Sequence, residues 1–175
     1  MIEPMIVALH DNGELGTPVP RSLAHRPPGM LHLAVSLQVV DPSGRWLLQR
    51  RAASKALFPG RWANTCCTHP APGEGAAEAA IRRAREETGL SITDVTPAGM
   101  FAYRAVDERS GFVEFEHDHV FVAVADTAAA VVNPDEVSEL ARLEFPDALR
   151  LTASPDGAPW AAEVLRKASE VLGRR

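Results

Sequence analysis

Little in this chain calls for a special environment. It has only two cysteines, and they are neighbours, Cys66 and Cys67. Adjacent cysteines bridge only with strain, so a structural disulfide is not expected and a reducing cytoplasm is the default compartment. No apolar stretch approaches the ~20 residues of a membrane span. The first residues, Met1 to Leu9, carry Glu3 and Pro4 without a basic start, so they do not read as a signal peptide. Positive charge is short as well. The formal charge of −5 offers no general attraction to nucleic acid or an anionic membrane. An anionic ligand would therefore need a local basic patch. Repeats, long linkers and low-complexity runs are missing too, so 175 residues make one domain with a genuine core. The balance of 46% hydrophobic and 23% charged residues is that of an ordinary soluble globular protein.

What is present reads as strands, helix, strands, helix. Met5 to Leu9 is expected to form a short strand, followed by a turn at Asp11-Asn12-Gly13. The four prolines between Gly16 and Met30 predict a mostly irregular surface loop. Leu31 to Val40 and Arg45 to Arg50, joined by Asp41-Pro42-Ser43-Gly44, read as a hairpin. Phe58 to Pro72 mixes Pro, Gly, Trp and Cys, as a strand embedded in loops would. Glu74 to Thr88 is the clearest helix: alanine-rich, with Ala77, Ile81, Ala84 and Thr88 on one stripe and a stop at Gly89. Further strands are expected at Pro97 to Val106, Gly111 to Ala125 and around Val137 to Phe145. Trp160, Val164, Ala168 and Val171/Leu172 have helical spacing, and Pro159 suits a first helical turn. This order predicts an α+β single domain with a mixed sheet between helices.

Glu114 and Glu116 are two residues apart in a predicted strand, which puts both carboxylates on one face. Like charges so placed repel, and a divalent cation is the usual remedy. His25, His32 and His69 could join them; imidazole with carboxylate suits manganese, zinc, iron or magnesium rather than a closed structural zinc site. Each histidine alone could equally be a surface or core residue, and His10, His117 and His119 have no better claim. Cys67 lies two residues before His69, where a metal and basic groups would let a thiol exchange a proton. Arg50, Arg51, Lys55, Arg82 and Arg83 supply the local basic patch, with a solvated face the plainer reading for Arg82 and Arg85. Glu86 and Glu87 end the helix where its dipole disfavours negative charge, which suggests a role such as metal binding.

These residues resemble a known pattern. Glu74 through Leu90 resembles a degenerate Nudix box, usually GX5EX7REUXEEXGU. Thr68 stands at the first glycine, Glu74 and Arg82 fit, and Arg83 takes the place of a metal-binding glutamate. That departure argues against diphosphate hydrolysis. The resemblance is closest to type I isopentenyl-diphosphate delta-isomerases, a Nudix-fold family. It rests on Leu31-His32-Leu33-Ala34, Arg50-Arg51-Ala52-Ala53-Ser54-Lys55, Pro59-Gly60-Arg61-Trp62-Ala63-Asn64, Cys67-Thr68-His69-Pro70, Ile81-Arg82-Arg83, Tyr103-Arg104-Ala105, Glu114-Phe115-Glu116 and Ser154 through Trp160. Cys66 and Thr68 depart from the family's usual residues without removing a functional group.

The resemblance implies a Nudix-like mixed sheet sandwiched between helices, with an N-terminal strand and loop (1–30), a core (31–150) and a C-terminal lid helix (151–175). It implies conversion of isopentenyl diphosphate to dimethylallyl diphosphate in isoprenoid biosynthesis. His25, His32, His69, Glu114 and Glu116 would hold one divalent metal (Mn2+, Mg2+ or Zn2+). A second ion, Mg2+, would bridge Glu87 and the backbone carbonyl of Cys67 to the diphosphate. Arg21, Arg51, Lys55 and Arg83 would grip that diphosphate. Cys67 and Glu116 would act as an acid–base pair on opposite faces of the substrate, since an unactivated alkene must gain a proton on one carbon and lose one from another. Tyr103 would relay or polarise a proton at Glu116, and Trp160 would offer an indole face to the cation. The implied protein is cytoplasmic, a monomer or weak homodimer, with a small-molecule prenyl diphosphate as partner and neither nucleic acid nor membrane. The alternatives are a Nudix-type nucleoside diphosphate hydrolase and a non-catalytic prenyl-diphosphate binder.

Overall fold

The run from His32 to Val40 is buried at nearly every position because both of its faces are covered. In the computed structural model, which describes residues 3–10 and 12–173, this run is the hub of the sheet. The elements are β1 (Met5–Leu9), β2 (Leu15–Pro20), α1 (Arg21–Ala24), β3 (His32–Val40), β4 (Trp46–Arg51), β5 (Trp62–Ala63), β6 (Cys66–Thr68), α2 (Ala76–Thr88), β7 (Thr96–Val106), β8 (Val113–Val124), β9 (Val137–Leu143), α3 (Phe145–Thr152) and α4 (Ala161–Leu172). Strand β3 pairs in parallel with β8 along its whole length, from His32 opposite Glu116 to Val40 opposite Val124. It pairs antiparallel with β6 and, at its end, with β4. The remaining pairings, β1 with β2 and β3, β7 with β8, and β4 with β9 and β5, are antiparallel, so the sheet is mixed.

Alternation sorts the side chains into two cores. Val35, Leu37 and Val39 of β3, with Phe121 and Ala123 of β8, pack under Ala80 and Ala84 of α2. Val40, Val120 and Val122 point the other way and meet Val164, Leu165 and Ala168 of α4. Each fully buried leucine, such as Leu37, Leu47 or Leu165, contributes about 1.5–3 kcal/mol. Helix α2 begins where the Glu78 carboxylate accepts the Gly75 N–H at 3.0 Å. It ends at Gly89, whose φ of 67° lies in the left-handed region that a side chain disfavours. The α+β reading and the mixed sheet between helices hold.

Several expectations need correction. The segment 16–30 is not mostly irregular: Leu15–Pro20 pairs with β1 as a strand and Arg21–Ala24 forms a helical turn. Proline is tolerated there because β2 lies at the sheet edge. The hairpin exists, but only Val39 and Val40 pair with β4, the rest of β3 being taken by β6 and β8. Phe58 to Pro72 holds two short strands, β5 and β6. The buried stripe of α2 runs through Ala80, Ala84, Glu87 and Thr88, with Ala77 and Ile81 only partly covered. Phe145 starts helix α3 instead of ending a strand, since Pro146 suits a helix start. Pro159 precedes helix α4, where Trp160 is the N-cap. Helix α4, expected as a lid, buries Ala161, Val164, Leu165 and Ala168 in the core. Of the expected turn at 11–13, Asp11 lies outside the described residues.

Candidate active site

Strand parity assembles the site. Glu114, Glu116 and Asp118 share the β8 face that carries Val120 toward α4. In the row through Glu116, His32 of β3 stands on one side and Tyr103 of β7 on the other. His25 follows α1, and His69 follows β6. Ligand atoms of His25, His32, His69, Glu114 and Glu116 all lie within 4.8 Å of one another. His25 Nε2 is 2.9 Å from Glu114 Oε2, and His69 Nε2 is 2.8 Å from Glu116 Oε1.

The histidines are aimed by their other nitrogens. His25 Nδ1 lies 2.7 Å from the Arg21 carbonyl, and His32 Nδ1 lies 2.7 Å from the Met30 carbonyl. A carbonyl can only accept, so each Nδ1 carries a proton and each Nε2 is aimed into the cluster, where the neutral ring would offer its lone pair to a cation and the protonated ring donates to a carboxylate. The Nε2 atoms of His32 and His69 face each other at 3.1 Å, which is favourable only with a proton or cation between them. Three imidazoles and two carboxylates converging in this way fit a divalent cation.

The charges in the cluster are unequal. Burial and the charge of Glu116 raise the Glu114 pKa. Burial also opposes ionisation of Glu116, but hydrogen bonds from His32 and His69 outweigh it and hold that carboxyl well below its usual range. Burial drives His69 down to about 3. For His32, burial is outweighed by hydrogen bonding and attraction to Glu116, so its pKa is raised. Tyr103 donates its O–H to Glu116 Oε2 at 2.5 Å; burial and the neighbouring carboxylates keep the phenol protonated.

Cys67 faces the same cavity of about 490 Å³, together with Arg21, Arg51, Lys55, His69, Arg83, Tyr103, Glu116 and Trp160. That volume lies within the range of small-molecule sites. The thiol accepts the indole N–H of Trp160 at 3.0 Å and donates to Asn64 Oδ1 at 3.1 Å, with Ser36 Oγ at 3.2 Å. Burial and the Asp118 charge push its pKa up to about 12, so the thiol is protonated at neutral pH. Trp160 is fixed in turn by Phe58, edge-on at 5.5 Å, and by Tyr103 at 5.8 Å. Pro4, Met5 and Ile6 line the cavity from the N-terminal segment. Cys66, the neighbour in sequence, points into the α2 core and is 1% exposed.

The cationic end is built on a tight loop. Arg51 donates to the carbonyls of Leu57 and Phe58 and lies 5.3 Å from the Trp160 ring centre. Phe58 itself has φ 47°, a left-handed conformation that costs a non-glycine residue about 1–2 kcal/mol. Lys55 and Arg83 share the Glu136 carboxylate, and Arg83 Nη2 is also 2.6 Å from Glu87 Oε1. Glu87 is 1% exposed, accepts the Gln49 amide at 2.9 Å and stands outside the His/Glu cluster. Arg50 turns outward to Gly60 and Glu139. Arg82 is held by Glu74 and Glu86, and Arg85 is exposed. His117 and His119 lie together on the opposite face of β8, apart from the cluster.

Four residues beside the site went unnoticed in the sequence. Asp118 continues the Glu114–Glu116 alternation by one more step, and that spacing was a usable signal. Ser36, which donates to Asp118 at 2.7 Å, and Gln49 had none beyond lying on strands. Glu136 comes from the turn before β9, where nothing local marks it.

A family pattern described as NUDIX domain matches residues 30–168. A Nocardia farcinica protein named isopentenyl-diphosphate Delta-isomerase is 48% identical over 149 residues, 83% of this chain and 83% of its own length. A protein of the same name from Streptomyces griseus is 43% identical over 158 residues, covering 90% of this chain and 78% of its own. Among solved structures, a Deinococcus radiodurans protein superposes with TM-score 0.74 at 23% identity, over 94% of this chain and 98% of that one. A MutT protein from Methanosarcina mazei gives TM-score 0.66 at 17% identity, over 81% and 95%. At these identities the structures bear on the fold alone.

Proposed function

The chain belongs to the isopentenyl-diphosphate Delta-isomerases of the NUDIX family, and from that premise we propose that Cys67 and Glu116 carry its isomerisation of isopentenyl diphosphate to dimethylallyl diphosphate. The observation behind this reading is that the Cys67 thiol and the Tyr103–Glu116 pair line one cavity with Trp160 between the catalytic end and the core. The reaction adds a proton to one carbon of the alkene and removes one from the other allylic position. Cys67 Sγ and a Glu116 oxygen are the two exchange points, on opposite faces of the substrate. In the free site the thiol holds its proton, while Glu116 is ionised and accepts the Tyr103 O–H. Each turnover moves a proton from one point to the other, and exchange with water resets the pair. Between the two transfers positive charge develops on the tertiary carbon, and the Trp160 indole face stabilises it without forming a bond.

His25, His32, His69, Glu114 and Glu116 would hold one divalent ion, manganese, magnesium or zinc, which would neutralise the carboxylate face and fix Glu116. Arg21, Arg51, Lys55 and Arg83 bind the diphosphate. A second ion, magnesium, would accompany that diphosphate, held by Glu87 and the backbone carbonyl of Cys67. The protein acts on this small prenyl diphosphate as a cytoplasmic monomer or weak homodimer without a nucleic-acid partner. No helix among the described residues is long and apolar enough to cross a membrane.

The test is incubation of the purified protein with isopentenyl diphosphate and magnesium, wild type beside Cys67→Ala. Acid-labile dimethylallyl diphosphate should form with the wild type and fall at least ~1000-fold in the variant, as expected when a direct proton-transfer group is lost. Phosphate release from nucleoside diphosphates without isomerisation would overturn the reading in favour of a hydrolase.

A further inference from the structure

Glu136 is a carboxylate in the place where the reading above needs none. Its Oε2 is hydrogen-bonded to Lys55 Nζ and lies 2.6 Å from Arg83 Nη2. The same Arg83 nitrogen is 2.6 Å from Glu87 Oε1, and Lys55 Nζ is 3.6 Å from that oxygen. Lys55 and Arg83 therefore sit among three carboxylates, Glu87, Glu136 and, 3.1 Å from Arg83 Nη1, Glu86, which also pairs with Arg82. The side chains of Lys55, Arg83 and Glu136 are 14%, 17% and 24% exposed, so solvent screens them little. Arg83 Nε is buried with no hydrogen-bond partner among the described residues.

The backbone around Glu136 is anchored independently of its carboxylate. Its carbonyl accepts the Ala52 N–H at 2.9 Å, and the Asn133 N–H reaches the Glu87 carbonyl at 2.9 Å. The Ser54 hydroxyl donates to the Asp135 carbonyl. The loop is thus docked against both the end of α2 and the loop carrying Lys55 by contacts that do not use the Glu136 carboxylate.

We propose that Glu136 is a specificity-determining residue whose carboxylate stands in for the diphosphate between Lys55 and Arg83, and thereby admits diphosphates only as complexes with a divalent cation. The inference rests on Lys55 and Arg83 being the diphosphate-binding cations. A diphosphate entering alone must take both cations from Glu136 while its own charge sits beside Glu136 and Glu87. Released from its partners, Glu136 then repels the ligand. A cation-complexed diphosphate brings most of its neutralisation with it, and the two carboxylates attract the cation instead of opposing the anion. Exclusion of the free diphosphate therefore follows from charges already in the wall of the cavity.

Calorimetric titration with inorganic pyrophosphate tests this, once with chelator and once with excess magnesium, using wild type, Glu136→Gln, Glu136→Ala and Arg83→Ala. Wild type should bind the magnesium complex at least tenfold more tightly than free pyrophosphate, and equal affinities would refute the proposal whatever the variants do. Both Glu136 variants should bind free pyrophosphate about tenfold or more tightly than wild type does, the size expected for removing one close repulsion. Unchanged or weaker binding of free pyrophosphate by either variant would overturn it. So would loss of magnesium-pyrophosphate binding alone, because Glu136 would then be a ligand of the ion. Failure of the underlying reading shows separately: Arg83→Ala would then bind pyrophosphate as wild type does in both conditions.

Discussion

Replacing Glu114 with glutamine should stabilise the metal-free protein and abolish most of its response to metal. The carboxylates of Glu114 and Glu116 share one strand face, with ligand atoms no more than 4.8 Å apart. At that separation and an effective dielectric of about 20, two unit charges repel by about 3.5 kcal/mol. Glu114 bears the consequence, since its pKa is the one raised. Glutamine removes the repulsion but weakens the 2.9 Å contact with His25 to a neutral hydrogen bond. That loss costs about 1–1.5 kcal/mol. The net gain is about 2 kcal/mol, or about 4–8 °C in Tm for a chain of this size. Metal acts in the opposite sense. An ion at a hundredfold excess over its Kd stabilises the wild type by about 2.7 kcal/mol. The variant has surrendered a charged ligand and should retain less than half of that shift. Thermal melts of both proteins, with chelator and with manganese or zinc, measure all four quantities. A variant that melts below wild type in chelator would refute the repulsion argument. A variant with the full metal shift would remove Glu114 from the ligand set.

Gly157→Ala should destabilise the protein by about 3 kcal/mol or more in urea melts, because a Cβ there would stand 2.0 Å from the Thr152 carbonyl oxygen. A small effect would mean that the turn leading to Trp160 can shift. Asp41→Asn should flatten the loss of stability in acid: Ser43, the Arg45 N–H and the Arg45 guanidinium overcome burial and hold the Asp41 pKa at about 2. A depressed carboxylate pKa contributes stability above the unfolded value of about 4 that is lost as pH falls toward 2. Wild type and variant melts should therefore converge across that window, and parallel curves would count against the assignment.

The parts of the fold that could be read in advance are those whose pattern is local. Helix α2 announced itself through its alanines and Gly89, and the core strands through their apolar runs. Strand β2 and helix α3 were hidden because their identity is decided elsewhere. Leu15–Pro20 is a strand only because β1 offers it an edge, and Phe145 is helical because Pro146 follows once β9 has ended at Leu143. The site followed the same division. The spacing of Glu114 and Glu116 fixed a shared face, but only the parallel pairing with β3 sets His32 opposite Glu116, and no spacing reveals a parallel partner.

Arg83 shows how a single residue turns the chemistry of such a helix. At the position where the Nudix box places a glutamate, an acidic side chain would join Glu86, Glu87 and Glu136 in a face fit to collect cations. With arginine there, Glu86, Glu87 and Glu136 become its partners, Lys55 shares Glu87 and Glu136, and the buried Nε has no hydrogen-bond partner among the described residues. On the proposed assignment, binding strength for a diphosphate would be set by how readily those carboxylates yield, while Cys67 and Glu116, which line the same cavity, would carry the proton chemistry. Holding the phosphates and activating water at them are different tasks. A helix face whose acids are already paired with Arg83 and Lys55 is suited to the first, so on the proposed assignment an isomerase, needing its diphosphate intact, would gain from the arginine that would disable a hydrolase.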